Sequence, residues 1–80
     1  MIDAEHFKEW LQEHTNYSPA VISNTVSRVK RADGLLPWYD AEVYQFYLER
    51  NEEYKTFTVS VRSQIKKAVR LYREFRISHS

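Results

Sequence analysis

The sequence contains no cysteine, only one glycine and two prolines, and no long hydrophobic run. The absence of cysteine excludes a disulfide scaffold, a thiolate zinc site and a cysteine nucleophile. One glycine cannot build a glycine-rich phosphate loop, and an all-β fold needs many more turn residues. No stretch approaches the ~18 apolar residues of a membrane span, and the N-terminus carries charges where a signal peptide is apolar. We therefore expect a cytoplasmic protein that does not contact a membrane.

What the sequence does contain suits a small helical domain. Apolar residues make up 42% of the 80 residues and aromatic residues 15%, which is enough for a compact core. Good helix formers fill most of the chain. We predict one domain over residues 1–80 with an all-α fold, a compact bundle of four short helices.

The four helices are placed by capping residues and by the spacing of apolar residues. The predicted spans are approximately residues 3–14, 19–32, 41–50 and 59–76. Their predicted N-caps are Asp3, Ser18, Asp40 and Thr58. Gly34 is the predicted residue just after the end of the second helix, where glycine is common.

The third helix is predicted to bury Val43, Phe46 and Tyr47, with Tyr44 and Leu48 widening the same side. Its apolar residues are then part of the core, and its acidic residues face water.

The segment after the third helix is predicted to be a polar turn over residues 51–55. Beyond it, Phe57, Val59 and Val61 alternate with Thr and Ser, a pattern typical of a strand. A helix capped by Thr58 competes with that strand. We favour the helix, because the apolar spacing continues helically from Val61 onwards and no other segment offers a partner strand.

No set of residues predicts catalysis or metal binding. His6, His14 and His79 do not have the spacing of metal ligands, and the carboxylates fall on the predicted exposed faces of helices. No serine has a plausible histidine and aspartate to activate it. We therefore expect a non-catalytic chain that needs no metal and no small-molecule cofactor.

Charge alternates in sign along the chain although the net charge is only +1. Residues 1–17 have a net charge of −3, residues 18–39 of +2, residues 40–54 of −4 and residues 55–80 of +6. The first and third helices are thus acidic, and the second and fourth are basic.

The basic helices predict a surface for nucleic acid, because Arg and Lys match phosphate oxygens and Arg and Asn also match base edges. The fourth helix contributes a stripe at helical spacing, Arg62, Lys66, Arg70 and Arg73, broadened by Lys67. The second helix contributes Asn24, Ser27, Arg28 and Arg31. Hydroxyls and free N–H groups at the two helix starts, Ser18 and Thr58, suit phosphate. The acidic helices are expected to form the far side.

Two other interpretations remain open at this point. The cations of the fourth helix can be an ordinary solvated face that pairs with the acidic helices. Alternatively, the many aromatic residues can form a protein-binding surface that includes Trp38 or Tyr39.

Several segments together resemble a known family. They are Phe7-x-x-Trp10-Leu11, Tyr17-Ser18-Pro19-x-x-Ile22-x-x-x-Val26-Ser27-x-Val29, an acidic third helix, and Thr58-x-x-Val61-Arg62-x-x-Ile65-x-x-x-Val69-x-x-Tyr72-x-x-Phe75. This order resembles the core-binding domain of tyrosine recombinases, the phage integrase family.

The resemblance implies a SAM-like bundle with orthogonally packed helix pairs that clamps one side of duplex DNA through its second and fourth helices. It places the Asn24–Arg31 and Arg62–Arg73 surfaces near DNA, with further recombinase protomers on the same duplex as additional partners. It implies no catalytic residue in this chain, because the family's active site belongs to a separate C-terminal domain. The chain is then a fragment of a recombinase, a stand-alone relative, or the same module fused to another nucleic-acid enzyme.

Overall fold

Five α-helices account for most of residues 2–78, which are the residues that the computed structural model describes. They are α1 (Ala4–His14), α2 (Pro19–Leu35), α3 (Val43–Glu49), α4 (Glu52–Lys55) and α5 (Val59–Ser78). No strand occurs in this part of the chain, so the prediction of an all-α fold is confirmed. The predicted number of four helices is wrong. His79 lies outside the described residues.

Side chains cap the starts of α1 and α2 as the sequence predicts. Asp3 Oδ1 accepts a hydrogen bond from the His6 N–H at 3.3 Å, and Ser18 Oγ accepts one from the Val21 N–H at 3.3 Å. Pro19 is the first residue of α2, where its missing N–H costs nothing. Both predicted N-caps are confirmed.

The end of α2 differs from the prediction, because Gly34 is part of the helix and has no positive φ. Side chains from later in the chain satisfy the last carbonyls instead. Asn51 Nδ2 donates to the Leu35 carbonyl at 3.2 Å, and the Tyr44 hydroxyl donates to the Leu36 carbonyl at 2.6 Å. A left-handed glycine is therefore not needed to end the helix.

Helix α3 begins later than predicted, and it buries a different side. Asp40 does not cap it, since that carboxylate faces Arg73. Tyr44 and Leu48 are buried, one turn apart on a narrow stripe. The residues predicted to be buried are instead about half exposed, at 51% for Val43, 51% for Phe46 and 52% for Tyr47. Because α3 is short and lies at the edge of the bundle, only one stripe of it reaches the core.

The predicted polar turn at residues 51–55 contains helix α4. Asn51 caps it by accepting a hydrogen bond from the Tyr54 N–H at 3.1 Å, and the Tyr54 ring is buried. The strand alternative is wrong, because α5 begins at Val59. Thr58 Oγ1 accepts from the Val61 N–H at 3.2 Å, as an N-cap does.

Two hydrophobic clusters form the core, and α5 contributes to both. The first joins α1, α2 and the C-terminal half of α5; its buried members include Phe7, Leu11, Ile22, Val26, Val29, Ala68, Tyr72 and Phe75. The second joins the end of α2, α3, α4 and the N-terminal half of α5; it comprises Ala32, Tyr44, Leu48, Tyr54, Ile65 and Val69. Residues 36–39 form an apolar connector between α2 and α3, and its half-buried Trp38 packs against both clusters.

One substitution on the buried side of α3 and one on its exposed side test which side of this helix faces the core. We expect Leu48→Ala to lower the free energy of unfolding by about 2–5 kcal/mol, because it empties a fully buried site. We expect Phe46→Ser to lower it by less than about 1 kcal/mol, because much of that ring already contacts water. Urea denaturation measures both values. Comparable losses in the two variants would contradict the orientation.

The contact between Asp3 and His6 makes a pH-dependent contribution at the start of α1. The Asp3 carboxylate lies 2.7 Å from His6 Nδ1, and its hydrogen bond raises the pKa of His6 above 6.5. The stabilisation is therefore present below pH 6.5 and is lost as the pH rises through the raised pKa.

Asp3→Asn is expected to return the His6 pKa towards its ordinary value, because asparagine keeps the cap and removes the charge. NMR titration of the His6 ring measures this change. An unchanged titration midpoint in the variant would show that the carboxylate does not act on the imidazole.

Candidate nucleic-acid interface

The two basic helices, α2 and α5, run antiparallel and lie side by side. Near the start of α2, Lys67 Nζ lies 5.9 Å from the centre of the Tyr17 ring. Towards the other end, Arg31 Cζ lies 4.2 Å from the centre of the Phe57 ring, directly before Thr58. The chain therefore passes along α2 in one direction and returns along α5 in the other.

A small groove of about 170 Å³ marks the line where these helices meet. Arg28 borders it from α2, and Gln64 and Lys67 border it from α5. The structure thus brings a predicted cation of each basic helix to one shared groove. Gln64 was not predicted, although its position three residues before Lys67 places both on one face of a helix.

The predicted stripe on α5 is continuous along the helix, but its members differ in exposure. Lys66, Lys67 and Arg70 are exposed, whereas Arg62 and Arg73 are half-buried. The half-buried pair lies on the side of α5 that faces α3 and α4. The stripe therefore does not point outward as a unit.

Arg73 is held by carboxylates. Its Nε lies 3.4 Å from Asp40 Oδ1, and its Nη1 lies 3.8 Å from Glu42 Oε1. The expectation that the acidic third helix forms the far side is consequently wrong, because the segment that leads into α3 borders the basic stripe. For Arg73, the structure matches the alternative in which cations of α5 pair with acidic residues.

Arg62 is also directed towards the core. Its Nε is buried and has no hydrogen-bond partner among the described residues. Its backbone carbonyl accepts a hydrogen bond from the Tyr54 hydroxyl at 2.9 Å, and burial raises the pKa of Tyr54, which keeps this donor protonated. Arg62 borders a groove of about 230 Å³ together with Glu49 and Lys66.

The remaining predicted residues lie on exposed positions. Asn24, Ser27 and Arg31 are exposed on α2. Ser18 and Thr58 are exposed at the starts of the two helices, but the hydroxyl oxygen of each accepts a capping hydrogen bond. Because the helices are antiparallel, these two starts lie at opposite ends of the surface.

A larger groove of about 390 Å³ lies on the other side of α5, between that helix and the segment around α3. Trp38, Tyr44 and Gln45 border it opposite the cations Lys66 and Arg70. Sequence patterns did not predict this groove. The only signal for it is the apolar connector that contains Trp38, which has to pack somewhere on the bundle.

Comparison of the chain with family models, with curated proteins and with solved structures finds no match in any of the three. Within residues 2–78, no three His, Cys, Asp or Glu side chains come together in a way that could hold a metal ion. In the same range, every helix is too short or too polar to cross a bilayer.

Removing the two carboxylates that pair with Arg73 tests whether these ion pairs keep Arg73 from contacting DNA phosphates. We expect Asp40→Asn with Glu42→Gln to raise the affinity for duplex DNA and to steepen the log–log salt dependence by up to about 0.9, the value for one added phosphate contact. Fluorescence anisotropy with a labelled duplex measures both quantities.

The matched control is Glu9→Gln with Glu13→Gln, which removes the same charge from exposed positions of α1. An equal gain in both double variants would mean that only the net charge matters and that the Arg73 ion pairs have no specific effect.

Proposed function

We propose that this chain binds duplex DNA through the face formed by α2 and α5, as the core-binding module of a recombinase of the phage integrase type. The sequence resemblance supports the recombinase assignment, and the SAM-like arrangement of helix pairs is part of the same proposal. Further protomers on the same duplex are the additional partners. In this proposal, any catalytic residues belong to another domain, and the chain itself needs no cofactor.

The observation that carries the proposal is the groove shared by Arg28 and Lys67. It joins the two basic helices into one surface, to which Arg31 adds an exposed cation. Lys66 and Arg70 are exposed further round α5, where they border the 390 Å³ groove. Among residues 2–78, no carboxylate lies within 4.0 Å of the charged nitrogens of these five residues. No carboxylate in this range therefore neutralises them, and the aromatic rings beside Arg31 and Lys67 leave their charge unbalanced.

The form of this face suits a phosphate backbone. Helix α2 has 17 residues, so the face is roughly 25 Å long, which corresponds to about seven nucleotides of one strand. Arg and Lys at intervals of one helical turn can contact successive phosphates along that length. Asn24 and Ser27 lie exposed on the same helix, where they can add hydrogen bonds to phosphates or base edges.

Such binding depends steeply on salt. With five cations engaged, we expect a log–log slope of about −4.5 and a dissociation constant of the isolated chain near ~10⁻⁴–10⁻⁶ M, the range of non-specific contacts. Arg62 and Arg73, which the sequence alone also placed at DNA, contribute less, because the Arg62 Nε is buried and Arg73 is paired with Asp40 and Glu42.

Charge reversal on the exposed side of α5 tests the proposal. We expect Lys67→Glu with Arg70→Glu to weaken duplex binding strongly and to flatten the salt slope by about 1.8, because two phosphate contacts are lost. Fluorescence anisotropy over a range of salt concentrations measures the slope.

The control is Lys8→Glu with Arg50→Glu, which changes the net charge from +1 to −3 just as the test variant does. Both control residues are exposed; Lys8 lies on α1, and Arg50 directly follows α3. If the control lowers affinity and slope as much as the test variant, the binding face has been assigned wrongly.

The second candidate function is a protein-interaction module, and the exposed side of α3 favours it. Val43, Phe46 and Tyr47 leave an apolar surface there, with the Phe46 and Tyr47 ring centres 5.3 Å apart. Tyr39, which the sequence placed in such a surface, is also exposed. This function predicts no affinity for duplex DNA even at low salt.

A further inference from the structure

The 390 Å³ groove between α5 and α3 combines an apolar wall with a cationic rim. The half-buried Trp38 and Ala41 supply apolar surface on one side, and Lys66 and Arg70 supply charge from α5 on the other. Tyr44 and Val69 also border the groove but are buried, at 2% and 5% exposed. Its volume lies within the ~300–1,000 Å³ range of small-molecule pockets, which are typically apolar with a few well-placed polar groups. The groove can therefore accept a ligand that is apolar at one end and anionic at the other.

The positive charge of the rim favours a ligand with negative charge. Arg73 also borders the groove, but Asp40 and Glu42 already balance it. Lys66, Lys67 and Arg70 have no carboxylate of residues 2–78 within 4.0 Å. An unbalanced positive charge of this size beside an apolar wall favours an anion with more than one negative charge, and a phosphate monoester is such a group.

The aromatic character of the wall determines the shape of the ligand. The Trp38 and Tyr44 ring centres are 6.4 Å apart, and the Trp38 ring is held edge-to-face against Tyr72 at 4.8 Å. These contacts fix the wall in place before a ligand arrives. A flat aromatic body suits such a wall, because every nucleobase has a π-face that stacks on aromatic side chains.

We infer that this groove binds a nucleoside monophosphate unit, with the base against Trp38 and the phosphate at Lys66 and Arg70. The site lies on the α3 side of α5, whereas the other groove lies between α2 and α5; Lys67 borders both. It does not require the chain to bind duplex DNA. However, it uses Lys66 and Arg70, which the duplex also needs, so the two ligands compete.

The test is an NMR titration of the full chain with adenosine 5′-monophosphate at about 50 mM salt, where screening by salt is weaker than in physiological buffer. We expect saturable amide shifts at Ala41, Val69 and Arg70. Adenosine and inorganic phosphate are titrated in parallel, because each supplies one half of the ligand. We expect each of them to bind at least about tenfold more weakly, since each lacks one set of contacts.

Two uncharged variants close the groove from opposite sides. Ala41→Phe fills it from the segment before α3, and Ser63→Phe fills it from an exposed position of α5. We expect both to abolish the nucleotide shifts while the salt slope of duplex binding stays unchanged. Amide spectra of each variant show whether it is folded. If Ala41→Phe does not fold, Ser63→Phe serves as the test in its place.

Lys66→Gln with Arg70→Gln is expected to weaken nucleotide binding at least about tenfold, because the phosphate loses its charged hydrogen bonds.

A single strand of roughly ten deoxyadenylates distinguishes the two sources of a nucleotide unit. If Ala41→Phe weakens binding of the strand, the groove takes an unpaired nucleotide within a nucleic acid; if it does not, the ligand is a free mononucleotide. The inference is overturned if inorganic phosphate binds as tightly as the nucleotide, or if no saturable shift appears. Either result is independent of duplex binding, which the salt slope reports separately.

Discussion

Helices α2 and α5 pack against each other in antiparallel directions, and the core and the basic surface are both arranged around this contact. Ile22, Val26 and Val29 on one helix meet Ala68 and Tyr72 on the other, within a single buried cluster. Helix α1 completes this cluster, and the Asp3 N–H donates to the Tyr72 hydroxyl at 2.8 Å, which ties the beginning of the chain to its last helix. Because this packing uses one side of each helix, Arg28 of α2 and Lys67 of α5 are left at the surface along the line where the helices meet.

Local signals in the sequence predicted much of this fold, and long-range contacts account for what they missed. The caps at Asp3 and Ser18 and the apolar stripe of α5 follow from residues close in sequence. The exposed side of α3 could not be predicted in this way. Apolar residues occur all around this short helix, so their spacing does not show which side faces the core. Likewise, the end of α2 depends on the side chain of Asn51, which lies sixteen residues beyond the carbonyl that it contacts.

The same distinction applies to the candidate site. The identity of the basic helices could be predicted, because charge is a property of the sequence. Which of their cations are exposed, and which are paired or buried, could not be predicted. Arg73 pairs with Asp40, thirty-three residues earlier, and Arg62 turns towards the core, so the exposed positive charge is narrower than the stripe in the sequence. The acidic segment before α3 is thus not remote from the basic surface but borders it, and the groove with Trp38 lies between them.

We propose that α2 and α5 present one face to duplex DNA. The most direct measurement is an amide NMR titration of the chain with a random-sequence duplex of about twenty base pairs at low salt, where phosphate contacts are strongest. We expect shifts along the exposed sides of both helices, largest around Arg28 and Lys67. Shifts confined to α3 around Phe46, or no shifts at all, would contradict it.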